Sequence, residues 1–283
     1  MKHTQSELQL IATSIRKDII GMLLQAGSGH SAGPLGMSDI FTALYFEILN
    51  HRPDEPDWNE RDILVLSNGH CAPVRYAAMA RAGYFASSEL KTLRQLGSNL
   101  QGHPERTRLP GLETTSGPLG SGLSQAAGMA LALRMDGVQQ RWVYCMMSDG
   151  EQNEGNVWEA AQFAAKYKLH NLTAITDRNN IQIDGPTEDV MPLEDLRSKW
   201  EAFGWHVLEI DGHNIPAIVD ATQQAKAIVN KPVMILAHTI PGKGVDFMEY
   251  DYHWHGAPPN AGQAKAALHQ LRTLSGQIRS EHE

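Results

Sequence analysis

Two stretches of the chain decide its fold: Trp142–Gly155 (WVYCMMSDGEQNEG) and Leu172–Gly185 (LTAITDRNNIQIDG). Each stretch begins with a short apolar run and continues into polar residues and glycine. A short apolar run that ends in turn residues is typical of a strand buried on both faces of a parallel sheet. Both stretches therefore predict a buried strand that is followed by a polar turn.

The same pattern recurs along the chain, and helical patterns separate its copies. Short apolar runs predict five strands, at 63–66, 142–147, 172–176, 206–210 and 233–237. Apolar residues at helical spacing predict helices at 8–23, 38–49, 74–82, 88–96, 122–136, 154–168, 193–203, 215–229 and 261–280. This alternation predicts an α/β fold, in which a parallel sheet carries helices on both faces.

Length, charge and cysteine content limit the class of protein. The 283 residues can bury a large core, and we expect a single domain over 1–283 with a helical tail at about 261–283. The net charge of −8 argues against a broad nucleic-acid or acidic-membrane surface. No apolar run is long enough to span a membrane. Only two cysteines, Cys71 and Cys145, are present, which excludes a disulfide framework and indicates a cytoplasmic protein.

Polar residues follow the predicted strands at 142–147 and 172–176. Asp149 and Asn179 are 30 residues apart, about the length of one strand–helix–strand unit. Because ligands bind beyond the carboxyl ends of parallel strands, we expect their oxygens to converge with a backbone carbonyl near Ile181. Such donors suit Mg²⁺ or Ca²⁺, with phosphate oxygens completing the coordination. Gly150 allows close approach of the backbone, and a helix beginning there favours a diphosphate.

Taken alone, Asp149 is explained equally well as a turn or helix-capping residue. A wider set of residues distinguishes the two explanations. Seven short elements resemble motifs of the transketolase family and occur in the family's order. They are Ser28–His30, Ser67–His70, Gly102–Glu105, Gly117–Gly120, Asp149-Gly150 with Glu154-Gly155, Asn179 with Ile181–Gly185, and His255–Pro258. The resemblance runs from about residue 28 to residue 258, nearly the whole chain.

The resemblance implies a role for each matching residue. Mg²⁺, for which Ca²⁺ or Mn²⁺ can substitute, is expected on Asp149, Asn179 and the Ile181 carbonyl. Contacts with thiamine diphosphate are expected from His70, Gly117, Pro118, Leu119, Asp149, Gly150, Glu154 and Asn179. Catalytic roles are expected for His30, His103 and His255, and substrate contacts for His30, Arg94 and His255.

The resemblance covers only the diphosphate-binding part of a transketolase. The family also has a pyrimidine-binding domain and a C-terminal domain, for which no sequence remains here. The resemblance therefore implies the N-terminal subunit of a split transketolase, which transfers a two-carbon ketol unit from a ketose phosphate to an aldose. We expect a partner subunit with the pyrimidine-binding domain, an α2β2 heterotetramer, and no activity without the partner.

Two other functions compete with this interpretation. The first is another thiamine enzyme, a 2-oxo acid dehydrogenase α subunit or a deoxyxylulose phosphate synthase, against which Gly102–Glu105 and His255–Pro258 argue. The second is a non-catalytic binding chain, which the intact Asp149 and Asn179 disfavour. The segment 244–253 is unlike the loop of housekeeping transketolases, and it leaves the donor and acceptor sugars open.

Overall fold

Five parallel strands form the sheet at the centre of the molecule, and their order across it is β1-β2-β3-β7-β6. The computed structural model describes residues 1–273. The strands are β1 (Ile63–Leu66), β2 (Val143–Ser148), β3 (Leu172–Arg178), β4 (Ile181–Gln182), β5 (Gly185–Pro186), β6 (His206–Asp211) and β7 (Val233–His238). Of these, β4 and β5 form a separate antiparallel hairpin. The five predicted strands are confirmed.

Ten α-helices are found in residues 1–273. They are α1 (Gln5–Ala26), α2 (Ala32–Gly36), α3 (Ser38–Ala43), α4 (Ala72–Ala82), α5 (Ser121–Met135), α6 (Gly155–Lys166), α7 (Thr187–Val190), α8 (Leu196–Ala202), α9 (Ile215–Ala227) and α10 (Ala261–Thr273). Local sequence sets the ends of α1: Thr4 and Glu7 form a capping box, and Gly27 closes the helix in the left-handed region at φ 62°.

The sheet separates two hydrophobic cores. Along β1, Leu64 and Leu66 point to the core formed with α1, α3, α4, α9 and α10, whereas Ile63 and Val65 point to the core formed with α5, α6 and α8. Successive side chains of a strand point to opposite faces, so strands that are apolar throughout need helices on both sides. The predicted α/β fold class is confirmed.

Some helix predictions differ from the structure. The helix predicted at 88–96 is wrong, because Ser87–Thr92 forms a 3₁₀-helix and Arg94 adopts a left-handed conformation at φ 62° that an α-helix cannot contain. The segment predicted as one helix at 38–49 is α3 followed by a π-helical turn, Leu44–Ile48. The last predicted helix agrees as far as Thr273, and residues 274–283 lie outside the described part of the chain.

Two expectations drawn from composition can be compared with the structure. No helix in residues 1–273 is long and apolar enough to cross a membrane. Cys71 and Cys145 are buried free thiols. The chain therefore relies on its two hydrophobic cores, with no disulfide between its cysteines.

Candidate active site

The ends of β2 and β3 meet, as the spacing of Asp149 and Asn179 predicts. Ser148 pairs with Asp177 in the register of the two strands. One carboxylate oxygen of Asp149 accepts a hydrogen bond from the backbone N–H of Gly150 (2.7 Å), and the other accepts one from the N–H of Asn180 (2.6 Å). The carboxylate is therefore held between the two turns that leave the sheet.

Asn179 is fixed by its neighbours in the same turn. Its Oδ1 accepts a hydrogen bond from the N–H of Ile181 (3.0 Å), and its Nδ2 donates to Asp177 (2.7 Å). Asp177 also accepts a hydrogen bond from the hydroxyl of Thr239. Asn179 is buried, whereas Asn180 is exposed. These contacts set the orientation of the Asn179 amide, with its oxygen on the side of Ile181.

Arg178 connects the carboxylate of Asp149 to the segment after the hairpin. Its guanidinium is almost fully buried and donates to Asp149 (3.2 Å), Thr187 (3.0 Å), Glu188 (3.0 Å) and Glu194 (2.7 Å). Burial raises the pKa of Asp149 to about 6, although the charge of Arg178 opposes that shift. The ion pair with Arg178 therefore offsets part of the cost of burying the Asp149 carboxylate as an anion.

The oxygen atoms at these strand ends fit a hard divalent cation. Oδ1 of Asp149 and Oδ1 of Asn179 each accept one backbone hydrogen bond, and a carbonyl or carboxylate oxygen has a second lone pair. Within residues 1–273 no group of three His, Cys, Asp or Glu side chains is suited to a metal. A cation here would use one carboxylate, one amide and a backbone carbonyl, and would need phosphate and water oxygens, as Mg²⁺ commonly does.

Three of the four predicted histidines form a cluster. The ring centroids of His30 and His70 are 4.9 Å apart, those of His70 and His255 are 5.2 Å apart, and those of His30 and His255 are 5.8 Å apart. Burial lowers the pKa of all three imidazoles, that of His30 to about 4. We conclude that the cluster is neutral at pH 7.

A cavity of about 230 Å³ joins the histidine cluster to the strand ends. It is lined by residues from both regions, among them His30, His70, Leu119, Gly150, Ile181 and His255. The Nδ1 atoms of His30 and His255 are buried and have no hydrogen-bond partner among the described residues. The cavity therefore lies between turn residues that follow β2 and β3 and the histidine cluster.

His103 lies beside the cluster but outside it. With Arg94 it lines a neighbouring polar cavity of about 400 Å³. Burial and the charge of Arg94 lower the pKa of His103. A side chain at Gly102 would lie 3.0 Å from Nε of Arg94, so the missing side chain makes room for the guanidinium. The fourth predicted histidine, His103, and the predicted arginine, Arg94, thus line the same cavity.

The remaining predicted residues lie around the first cavity. Leu119 lines it, Gly117 is half-buried and Pro118 is exposed in the same loop. Glu154 is exposed immediately before α6, which begins at Gly155. A helix begins at Gly150 as expected, but it is a short 3₁₀-helix, Gly150–Asn153, that brings the chain to α6.

Comparisons with known proteins identify the family of the chain. Residues 8–275 match the family described as transketolase, thiamine diphosphate binding domain. The chain belongs to the transketolase family. It is 45% identical to a 6-deoxy-6-sulfo-D-fructose transketolase subunit from Clostridium sp. (strain MSTE9), over 96% of this chain and 98% of that protein. It is 39% identical to an apulose-4-phosphate transketolase subunit from Phocaeicola vulgatus, over 97% of both.

Solved transketolases have the same fold over part of their length. The transketolase of Pichia stipitis in complex with sedoheptulose 7-phosphate superposes with a TM-score of 0.90 at 35% identity, over 96% of this chain and 41% of that one. The Campylobacter jejuni enzyme gives 0.89 at 36% identity, over 98% and 45%. This transketolase-family chain thus spans about two fifths of those proteins. The resemblance to N-terminal transketolase subunits is confirmed.

Sequence reasoning missed three buried charged residues of this candidate site: Glu151, Asp177 and Arg178. The last two stand directly before Asn179, at the end of an apolar run. Charged residues at the end of a buried strand need partners. The position of Asp177 and Arg178 directly after the apolar run could therefore have identified them from the sequence. Glu151 had no such signal, because one partner of its carboxylate, Ser67, is 84 residues away in the sequence.

Proposed function

We propose that this chain is the thiamine diphosphate-binding subunit of a two-chain transketolase. The complex would transfer a two-carbon ketol unit from a ketose to an aldose. The observation that carries the proposal is the cavity that joins Gly150 and Ile181, the turn residues that follow Asp149 and Asn179, to the cluster of His30, His70 and His255. The two relatives of matching length, which are named as transketolase subunits, support it.

In this proposal the strand ends hold the charged tail of the cofactor. Asp149, Asn179 and the carbonyl of Ile181 would hold Mg²⁺, and Ca²⁺ or Mn²⁺ could replace it. Gly150 would let the backbone approach the diphosphate, since a side chain there would lie 3.0 Å from Gln182. Bound thiamine diphosphate supplies the carbanion chemistry of the reaction, and the protein supplies orientation and charge.

The histidines would act on the cofactor and the sugar. A neutral imidazole with an unpaired ring nitrogen can exchange a proton with a hydroxyl or carbonyl oxygen, and His30 and His255 have such nitrogens. His70, with the loop Gly117–Leu119, would contact the cofactor. His103 and Arg94 would receive the anionic end of the substrate, because their cavity adjoins the histidine cluster.

The partner in this proposal is a subunit that carries the pyrimidine-binding domain. Glu154 is exposed beside the cavity residue Gly150 and would lie at the contact between subunits. We propose an α2β2 heterotetramer in the cytoplasm and a single domain over residues 1–283. The free thiols of Cys71 and Cys145 support a reducing compartment.

The test is an assay of ketol transfer with this chain, a candidate partner chain, and their mixture. We expect turnover only in the mixture, in the presence of Mg²⁺ and thiamine diphosphate. Robust turnover by this chain alone would contradict the need for a partner. Thiamine diphosphate that does not bind the chain or the mixture in calorimetry would favour a non-catalytic binding chain.

A panel of donors tests the substrate class. The panel contains xylulose 5-phosphate, apulose 4-phosphate, 6-deoxy-6-sulfofructose and pyruvate. Apulose 4-phosphate and 6-deoxy-6-sulfofructose are included because two relatives are named for these sugars. We expect turnover with ketoses that carry an anionic end group, because Arg94 and His103 lie beside the cavity. Turnover with pyruvate alone would favour a different thiamine enzyme.

A further inference from the structure

The N-cap residue of helix α5 has no side chain that could cap the helix. The residue at its N-cap is Gly120, which adopts φ 81° and has no side chain to accept a hydrogen bond. The first N–H groups of a helix have no partner inside the helix. In this chain they find partners on other segments: the N–H of Gly120 donates to the carboxylate of Glu151, and the N–H of Gly122 donates to the hydroxyl of Ser67 (3.1 Å).

The carboxylate of Glu151 joins three segments that are distant in sequence. Besides Gly120, it accepts hydrogen bonds from the hydroxyl of Ser67 at the end of β1 and from the N–H of Ser148 at the end of β2 (3.1 Å). Glu151 is fully buried. A buried carboxylate is tolerated only when hydrogen bonds replace its water, and here three donors from three segments do so.

The same contacts fix one wall of the cavity. Leu119, which precedes Gly120, lines the cavity together with Ser148 and Glu151. Packing leaves little room for the loop to move toward β1, because a side chain at Gly122 would lie 2.4 Å from Ser67. Two hydrogen bonds hold Leu119 in place: the one between Gly120 and Glu151, and one from Nδ2 of Asn156 to the Leu119 carbonyl (3.4 Å).

We propose that Glu151 is a positioning residue that holds Leu119 against the cavity, so that the loop is already ordered when thiamine diphosphate binds. This inference rests on the proposed function for its ligand. It assigns Glu151 no bond to cofactor or substrate, because the carboxylate is already bonded to Ser67, Gly120 and Ser148. A preorganised wall spares the ligand the entropic cost of ordering the loop.

Two measurements on the full chain test this role. Calorimetry with Mg²⁺ and thiamine diphosphate gives the Kd, and hydrogen exchange without ligand gives the protection of the backbone amides at 120–122. We expect Glu151→Ala to weaken binding about tenfold and to speed exchange at those amides, since it leaves buried donors unpaired. Glu151→Gln keeps one carbonyl oxygen for Ser67 and Gly120 but places its NH2 against the N–H of Ser148, so we expect it to restore only part of the affinity and of the protection.

Ser67→Ala is the second variant, in case Glu151→Ala does not fold. It removes one hydroxyl that bridges Glu151 and Gly122, and we expect binding to weaken about threefold. Glu159→Gln is the matched control, because Glu159 is exposed on α6, and it should match the wild type in both measurements.

The outcomes separate the inference from the proposed function. Folded Glu151→Ala with wild-type Kd overturns the positioning role, even if exchange at 120–122 is faster. Unchanged exchange in the folded Ala variants shows that Glu151 does not hold the loop. A wild-type chain that binds no thiamine diphosphate overturns the proposed function and, with it, the cofactor role of Glu151, while exchange still decides whether Glu151 holds the loop.

Discussion

The two ends of the cavity are built differently. Next to the cavity residues Gly150 and Ile181 stands a group of buried side chains, Asp149, Asp177, Arg178 and Asn179, which we name the carboxylate end. The other, the imidazole end, consists of His30, His70 and His255. At the carboxylate end each of the four side chains has hydrogen-bond partners, whereas two of the three imidazoles have a buried nitrogen without one among the described residues. The first arrangement suits holding a fixed group, and the second suits exchanging protons.

The difference follows from the elements that carry the residues. The carboxylate end extends from β2 and β3, whose register is fixed by neighbouring strands on both sides. The imidazole end comes from two loops and the 3₁₀-helix Gly69–Cys71, which meet through ring packing and a hydrogen bond from the Ser31 hydroxyl to the carbonyl of Ala257. Rigid strands hold a binding geometry more precisely than loops do. We therefore expect substitutions at the carboxylate end to act on cofactor binding and those at the imidazole end to act on turnover.

The largest expected effect is at Asp149. Asp149→Ala removes a proposed ligand of Mg²⁺ and leaves Arg178 without one of its buried partners, so we expect the affinity for Mg²⁺–thiamine diphosphate to fall roughly 100-fold or more. Calorimetry measures the loss, and Asp189→Asn, at an exposed aspartate of α7, is the control. Normal binding by Asp149→Ala would show that the strand ends do not hold the cofactor.

The second-largest effect is expected at His255, where loss of turnover without loss of cofactor binding would distinguish the two ends. His255→Ala removes an imidazole with an unpaired nitrogen, and we expect ketol transfer by the two-chain mixture to fall about 100-fold, as for loss of a general acid or base. We expect the Kd of thiamine diphosphate to change less than about threefold. His238→Gln, at an exposed histidine, serves as the control. Equal losses in binding and turnover would remove the distinction between the ends.

A smaller effect is expected at Arg178, which supports Asp149 without being a proposed ligand. Arg178→Met removes the ion pairs with Asp149, Glu188 and Glu194, and we expect about a tenfold loss of cofactor affinity, as for residues that orient metal ligands. Arg178→Lys keeps the charge but not the forked geometry, so it should recover part of the loss. If the Met variant bound as tightly as the wild type, the carboxylate end would not depend on this cation.

Sequence reasoning reached the parts of the molecule that depend on local pattern. The apolar runs at 142–147 and 172–176 predicted β2 and β3, and the rule that parallel strand ends converge brought Asp149 to Asn179. It failed where the outcome depends on distant partners. The cap of α5 comes from Glu151, and the left-handed conformation of Arg94 ends a segment whose apolar pattern is helical. No local pattern contains that information.

The smallest expected effect concerns protonation of the imidazole end. Burial lowers the pKa of His30 to about 4, whereas an imidazole in the unfolded chain has a pKa of about 6.5. Between these values the unfolded chain binds more protons, so the free energy of unfolding should decrease as the pH falls from about 6.5 to about 4. His30→Gln should make this decrease shallower in denaturant titrations at several pH values. If the His30 ring proton titrated near pH 6.5 by NMR, the imidazole would be solvated like a surface histidine and the contrast between the two ends would be lost.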